Sequence, residues 1–246
     1  MRNKILYFTL ALTISLMGCG RKKNVPEIDK PQRTINVGFV VVDGVYNSEL
    51  MAPYDIFHHV RFHIDTAMHV FTVAPDSGMV KTFEGISFKA DHHFDDPALP
   101  DIDVLVLPSA ENSMGSDLED GRLIDFVREK GDEASFVVSL CDGAFVLAEA
   151  GLLDSLLVTT FPEDVDKLQS QYPLLELMKK VSFVHDGKAI TSAGGALSYE
   201  PALYLVEMIY GKEVAKKVGN GLVITWSASL APYEHGPKAM QYKPIW

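Results

Sequence analysis

The 246-residue chain predicts a doubly wound α/β sandwich, and three observations carry that expectation. Near-continuous apolar runs at 35–42, 103–107 and 134–140 suit strands of a parallel sheet buried on both faces. Segments of helical spacing lie between such runs, so strand and helix alternate along the chain. The third run stops at Cys141 and a helical run begins at Gly143 with almost no loop, the layout of a strained strand-to-helix nucleophile elbow.

In chain order, 35–42 reads as the first strand. Ser48 precedes a helix over 49–57 with Pro53 in an early turn. A second strand is predicted at 69–74 and a small hairpin at 80–90, turning at Glu84-Gly85. The third strand ends at Leu107-Pro108. A helix over 122–130 is closed by Gly131. The strand at 134–140 leads through Cys141 into a helix over 143–150, stopped by Gly151. A short strand at 157–160, a hairpin over 181–191 turning at Asp186-Gly187, and a helix over 199–210 opened by Ser198 complete the pattern. In such a fold the site lies at the carboxyl ends of the strands, so Cys141, Ser109 and Gly194 should share one edge.

A helix N-terminus beyond Cys141 would favour its thiolate. The alternative is a buried, inert cysteine that ends a core strand. The only other cysteine, Cys19, has a different explanation. A basic start (Arg2, Lys4) and an apolar stretch at 5–17, too short to span a bilayer, read as a secretory signal over 1–18. Leu16-Met17-Gly18-Cys19 resembles a bacterial lipobox, with Cys19 as the lipidated new N-terminus. The alternative is an ordinary cleaved signal with an incidental cysteine. Lipidation at Cys19 leaves Cys141 as the one free thiol, in an envelope compartment that permits disulfides. The polar, proline-containing residues to 34 read as a flexible tether, 35–225 as one domain, and 226–246 as an aromatic, Pro-containing extension.

Formal net charge is −11; without Arg2 and Lys4 the mature chain carries 20 basic against 33 acidic residues. That balance argues against nucleic acid and against electrostatic attraction to anionic lipid, so the lipid anchor alone would hold the protein at a membrane. No dinucleotide fingerprint or phosphate loop is present, and no cofactor is expected. His59 and His63, four apart, would suit a metal only if both faced it; a solvated surface pair is the plainer reading, as for His92-His93, and no metal is expected.

The ordered set Glu49-x-x-x-Pro53, Leu107-Pro108, Cys141-x-Gly143, Ala148 to Asp154, Val158-Thr-Thr160 and Thr191-Ser192-x-Gly194 resembles the ThiJ/PfpI family of the class I glutamine-amidotransferase-like superfamily. The resemblance spans roughly 35–211. It implies a flavodoxin-like three-layer sandwich, frequent homodimers, and activities that range over isonitrile hydration, glyoxal chemistry, and peptidase or chaperone roles. It implies Cys141 as nucleophile and Glu49 as its acidic partner, a carboxyl group that donates to the thiolate. By position alone, Glu49 would be a helix-start residue favoured by the macrodipole. The resemblance also implies an oxyanion hole of backbone N–H groups, from Asp142 and from the turn Pro108-Ser109-Ala110, beside a pocket that includes Gly143, Phe161 and Gly194.

This chain departs from the family pattern at three places. Ser109-Ala110 stands where Gly-Gly is frequent. Asp142 stands where His or Thr often follows the cysteine. Phe161 stands where a Thr-Thr-His turn would bring a histidine. No Cys–His dyad is left, which argues against amide hydrolysis; Glu49 and Asp142 suit hydration or isomerisation better. The expected activity is that of a cysteine-dependent hydratase or lyase on a small electrophile. The competing expectation is a non-catalytic thiol sensor or ligand-binding module that keeps the elbow. A homodimer is expected through the apolar first helix, with Leu50, Met51, Tyr54 and Phe57.

Overall fold

The computed structural model describes residues 24–246 other than 31 and 66, so the proposed signal and Cys19 lie outside the described residues. The strands are β1 (Ile35–Val40), β2 (Met68–Ala74), β3 (Met79–Lys81), β4 (Ser87–Lys89), β5 (His92–His93), β6 (Val104–Leu107), β7 (Phe136–Leu140), β8 (Leu157–Val158), β9 (Glu176–Leu177), β10 (Phe183–Asp186), β11 (Ala189–Ser192) and β12 (Glu234–His235). The helices are α1 (Asn47–His59), α2 (Ser116–Glu119), α3 (Gly121–Glu133), α4 (Gly143–Glu149), α5 (Val165–Gln171), α6 (Tyr199–Tyr210) and α7 (Lys212–Gly221).

An eight-stranded sheet runs in the order β12-β10-β11-β7-β6-β1-β2-β5. Its pairs are parallel except β10 with β11. The chain winds outward from β1 in one direction and from β6 in the other, which leaves a crevice at the carboxyl ends where the order reverses. The central strands β1, β6 and β7 are buried almost throughout, as their apolar runs require. One face is covered by α1, α6 and α7, through Leu50, Ile56, Phe57, Leu203, Leu205 and Val218. The other is covered by α3, α4 and α5, through Leu123, Val127, Phe145, Leu147 and Leu168. The result is a mainly parallel, flavodoxin-like three-layer sandwich. Among the described residues no helix is long and apolar enough to cross a membrane.

Several boundaries differ from the sequence reading. Gly131 does not end α3; it lies inside the helix, where any Cβ would overlap the Leu152 side chain, and Asp120 caps the start by accepting from the Arg122 and Leu123 N–H groups. His92-His93, expected as a solvated surface pair, forms the half-buried edge strand β5, paired with Val73 and Ala74. The strand at 157–160 leaves the main sheet and pairs with β9 instead. Helices α5 and α7 are additions to the elements expected from the sequence; α5 buries Val165 and Leu168, and α7 buries Ala215, Val218 and Gly219. Leu50 and Phe57 of α1 are fully buried in the core rather than offered to a subunit seam, while Met51 is 46% exposed.

Both ends of the described segment are tied to the domain. Val25 and Ile28 pack on the core, and the Trp246 indole N–H donates to the Asp29 carbonyl at 3.1 Å. The 226–246 extension supplies β12 to the sheet edge, and the Tyr242 hydroxyl donates to the Ser135 carbonyl.

Candidate active site

Cys141 follows β7 directly with φ of 53°, a left-handed conformation that a non-glycine residue adopts only under constraint. Its N–H donates to the Ser192 carbonyl at 2.9 Å, and its own carbonyl accepts from the Thr160 hydroxyl at 2.9 Å. Two glycines make room for the bend. A Cβ on Gly194, whose φ is +79°, would overlap the Cys141 Cβ, and a Cβ on Gly143 would overlap the Leu107 carbonyl oxygen. The elbow is locked between β6, β7 and the turn after β11, and the sulfur-bearing residue is 8% exposed.

A carboxyl–hydroxyl pair stands on either side of the cysteine. On one side Glu49, buried on α1, accepts at Oε2 from both the N–H (3.1 Å) and the hydroxyl of Ser109, and at Oε1 from the Gly195 N–H at 3.3 Å. On the other side Asp142 Oδ1 accepts from the Thr160 hydroxyl at 3.0 Å. Glu49 therefore sits on Ser109, which gives its one hydroxyl hydrogen to the carboxylate.

Burial pushes the Cys141 thiol above its ordinary range, and the Glu49 and Asp142 charges push the same way; the Ser109 hydroxyl and the Asp142 N–H oppose them. A neighbouring helix start would favour the thiolate, but α4 is only seven residues long and its cap is a carboxylate. Burial, reinforced by the Asp164 charge, raises Asp142 to about 6. Burial also raises the Tyr46 phenol, with Cys141, Glu49, Glu111 and Asp142 adding to it, and its ring lies 4.7 Å from that of Phe83.

The Pro108-Ser109-Ala110 turn does not hold free oxyanion donors. The Ser109 N–H bonds Glu49, and the Ala110 N–H donates to the Ser113 hydroxyl at 2.8 Å. The Asp142 N–H remains, directed at the sulfur. Phe161, 38% exposed, follows Thr160 without joining this hydrogen-bonded set. His59 turns back to its own helix, 2.9 Å from the Asp55 carbonyl. Among the described residues no three His, Cys, Asp or Glu side chains gather as a metal site. Open clefts elsewhere include an acidic one around Phe94, Asp95 and Arg122 and one along α1 with Met51, Tyr54 and Phe62; neither contains Cys141.

The structure adds Tyr46, Thr160, Asp164 and the Gly195 N–H to the residues expected from sequence. Thr160 lay within the quoted Val158-Thr-Thr160 motif, but nothing local showed that its hydroxyl would face Asp142. Asp164 carried no signal beyond a charge in a turn.

The DJ-1/PfpI family model matches residues 36–208. Isonitrile hydratase of Pseudomonas putida is 29% identical over 184 residues, 75% of this chain and 76% of that protein. The HTH-type transcriptional regulator CdhR of Pseudomonas aeruginosa is 30% identical over 165 residues, 67% of this chain but 47% of the regulator. Among solved structures, Drosophila melanogaster DJ-1beta superposes with a TM-score of 0.68 at 22% identity, covering 78% of this chain and all of that one. A ThiJ/PfpI family protein from Pseudomonas syringae gives 0.69 at 20% identity, covering 86% and 81%. With its elbow cysteine, upstream carboxyl group and three-layer sheet, the chain belongs to the DJ-1/PfpI family.

Proposed function

We propose that the protein is a cysteine-dependent hydratase acting on a small electrophile, with an isonitrile as the favoured substrate class. The observation that carries this reading is the Cys141 elbow flanked by two carboxyl–hydroxyl pairs, with no histidine among the groups that bond or charge it. Peptide cleavage must protonate a poor amine leaving group and ordinarily uses a histidine for it. Addition of a thiol to an isonitrile carbon needs a proton moved from sulfur to carbon and later a water activated, which carboxyl groups can do. The similarity to an isonitrile hydratase over three-quarters of both chains supports the same class. A sulfur this enclosed suits a slim substrate.

The full-length chain should convert an alkyl isonitrile to the N-substituted formamide, and Cys141→Ala should abolish it. Cys141-dependent peptide cleavage without isonitrile turnover would reject the reading. A second reading, a thiol sensor or binding module, draws on the raised thiol and the occupied N–H groups of the 108–110 turn. Silence on isonitriles, α-oxoaldehydes and peptides would favour it.

The chain is further proposed to be a cell-envelope lipoprotein, anchored through Cys19. Incorporation of labelled fatty acid in bacteria should disappear in Cys19→Ser; label that persists rejects the anchor.

A further inference from the structure

The two carboxyl groups beside Cys141 are not equivalent. Two of the three donors to Glu49 are backbone N–H groups, of Ser109 and Gly195, which cannot reverse their direction. Glu49 holds the 108–110 turn in place through the Ser109 N–H and hydroxyl and ties it to Gly195; it is a positioning residue.

Asp142 is held differently. Thr160 has one hydroxyl hydrogen and two acceptors in reach, the Cys141 carbonyl at 2.9 Å and Asp142 Oδ1 at 3.0 Å. When Asp142 is charged, the hydrogen serves its carboxylate. When Asp142 is protonated, its own O–H donates to the Thr160 oxygen and the Thr160 hydrogen serves the Cys141 carbonyl. Both states are fully bonded, so a proton can come and go without leaving a buried group unpaired. The Asp142 carboxyl group and the Cys141 thiol lie close enough that each shifts the other's ionisation. The charged or titratable groups that face it are Cys141, Glu49 of α1, Asp164 before α5 and the Tyr46 phenol; no cation is among them.

We infer that Asp142, switched by Thr160, is the proton-transferring catalytic residue of this site. The inference rests on the hydration reading for its substrate, but the coupling of Asp142 to the sulfur does not. In the first step the Cys141 thiol proton passes to the Asp142 carboxylate as sulfur bonds the isonitrile carbon. Asp142 then protonates that carbon, which yields a thioimidate. In the second step Asp142 takes a proton from water as the oxygen adds to the same carbon, and it returns that proton to nitrogen. In the third step the C–S bond breaks, the carbinol proton passes through Asp142 to sulfur, and the formamide leaves. The net change is one isonitrile and one water to one formamide, with Cys141 regenerated as the thiol. A group raised to about 6 is half-charged at about pH 6 and keeps a protonated fraction near neutral pH, so it can both take and give a proton there.

The test is the rate of Cys141 alkylation by iodoacetamide from pH 4.5 to 9, in the full-length chain and in Asp142→Asn, Thr160→Val and Thr160→Ser. The wild type should show a rise through about pH 6 that Asp142→Asn lacks, its rate rising only with the thiol's own ionisation. Thr160→Val removes a donor to the charged form and should move the rise to higher pH, while Thr160→Ser should restore it. Isonitrile turnover at pH 7 should fall by about 10²–10⁴-fold in Asp142→Asn. A wild-type alkylation profile identical to that of Asp142→Asn, or a rise unmoved by Thr160→Val, overturns the inference. A wild type that shows the rise but turns over no isonitrile keeps the Asp142–Cys141 coupling and rejects the hydration reading instead.

Discussion

Asp142 and Gly194 show what single residues contribute at the elbow. Asp142 is raised to about 6, so ionising it in the folded protein costs stability relative to the unfolded chain, where it titrates near 3.9. Its favourable share is complete below pH 3.9 and is lost as pH rises through about 6. Asp142→Asn removes that loss. Its Tm should exceed the wild type's at pH 7.5, by the equivalent of roughly 2 kcal/mol, and match it near pH 4. A higher wild-type Tm at pH 7.5 would show that the ionised carboxylate is stabilising. Gly194 answers to sterics alone. Gly194→Ala adds a Cβ at φ of +79° that overlaps Cys141, and the variant should lose about 3 kcal/mol or more by denaturant titration, since strand β11 cannot retreat from β7.

At the scale of elements, a buried hydrogen-bonded chain joins β10, α6 and β12. Since the Gly187 carbonyl only accepts, His185 Nε2 carries the proton and donates to it at 2.9 Å. Nδ1 then accepts from the Tyr204 hydroxyl at 2.8 Å, and His235 Nε2 donates to that hydroxyl's oxygen at 2.8 Å. Burial pushes His185 down to about 3. The folded state keeps it neutral while the unfolded chain protonates it below about 6.5. Its contribution is therefore present above pH 6.5 and lost as pH falls towards 3, on the order of 4 kcal/mol in all. His185→Gln should flatten the acid limb of Tm between pH 6.5 and 4; an unchanged slope would place acid sensitivity elsewhere. The same chain explains why the extension belongs to the domain. Without it β10 would be left as an open edge and Phe183 would lose its stack with Tyr233.

For the whole molecule, assembly is the open dimension, and a homodimer is proposed through the outer side of α1. Met51 and Phe62, 46% and 70% exposed, stand with Tyr54 and Tyr199 along one cleft. An isologous two-fold contact there would cover them. Light scattering at micromolar concentration should give a dimer mass, and Met51→Asp with Phe62→Asp should give a monomer; a wild-type monomer mass rejects the proposal. Leu50 and Phe57 are excluded from such a seam because both lie in the core beneath α1.

Local pattern determined the architecture. The apolar runs that became β1, β6 and β7 were legible because a strand buried on both faces needs little but apolar side chains, and the Cys141 bend because Gly143 and Gly194 leave it room. The upstream carboxyl group was legible only through the family resemblance, since by position alone Glu49 reads as a helix-start residue. The bonding around the sulfur was not, since it joins residues far apart in sequence: Glu49 to Ser109 and Gly195, Asp142 to Thr160. The same reason hid β12 and β5, two-residue strands that exist only because a long-range neighbour pairs with them. Sequence periodicity encodes how a segment folds and which side it buries. Which hydroxyl faces which carboxyl group, and therefore where a proton can go, was decided only when the tertiary structure brought Glu49, Ser109, Thr160 and Gly195 around the Cys141 elbow.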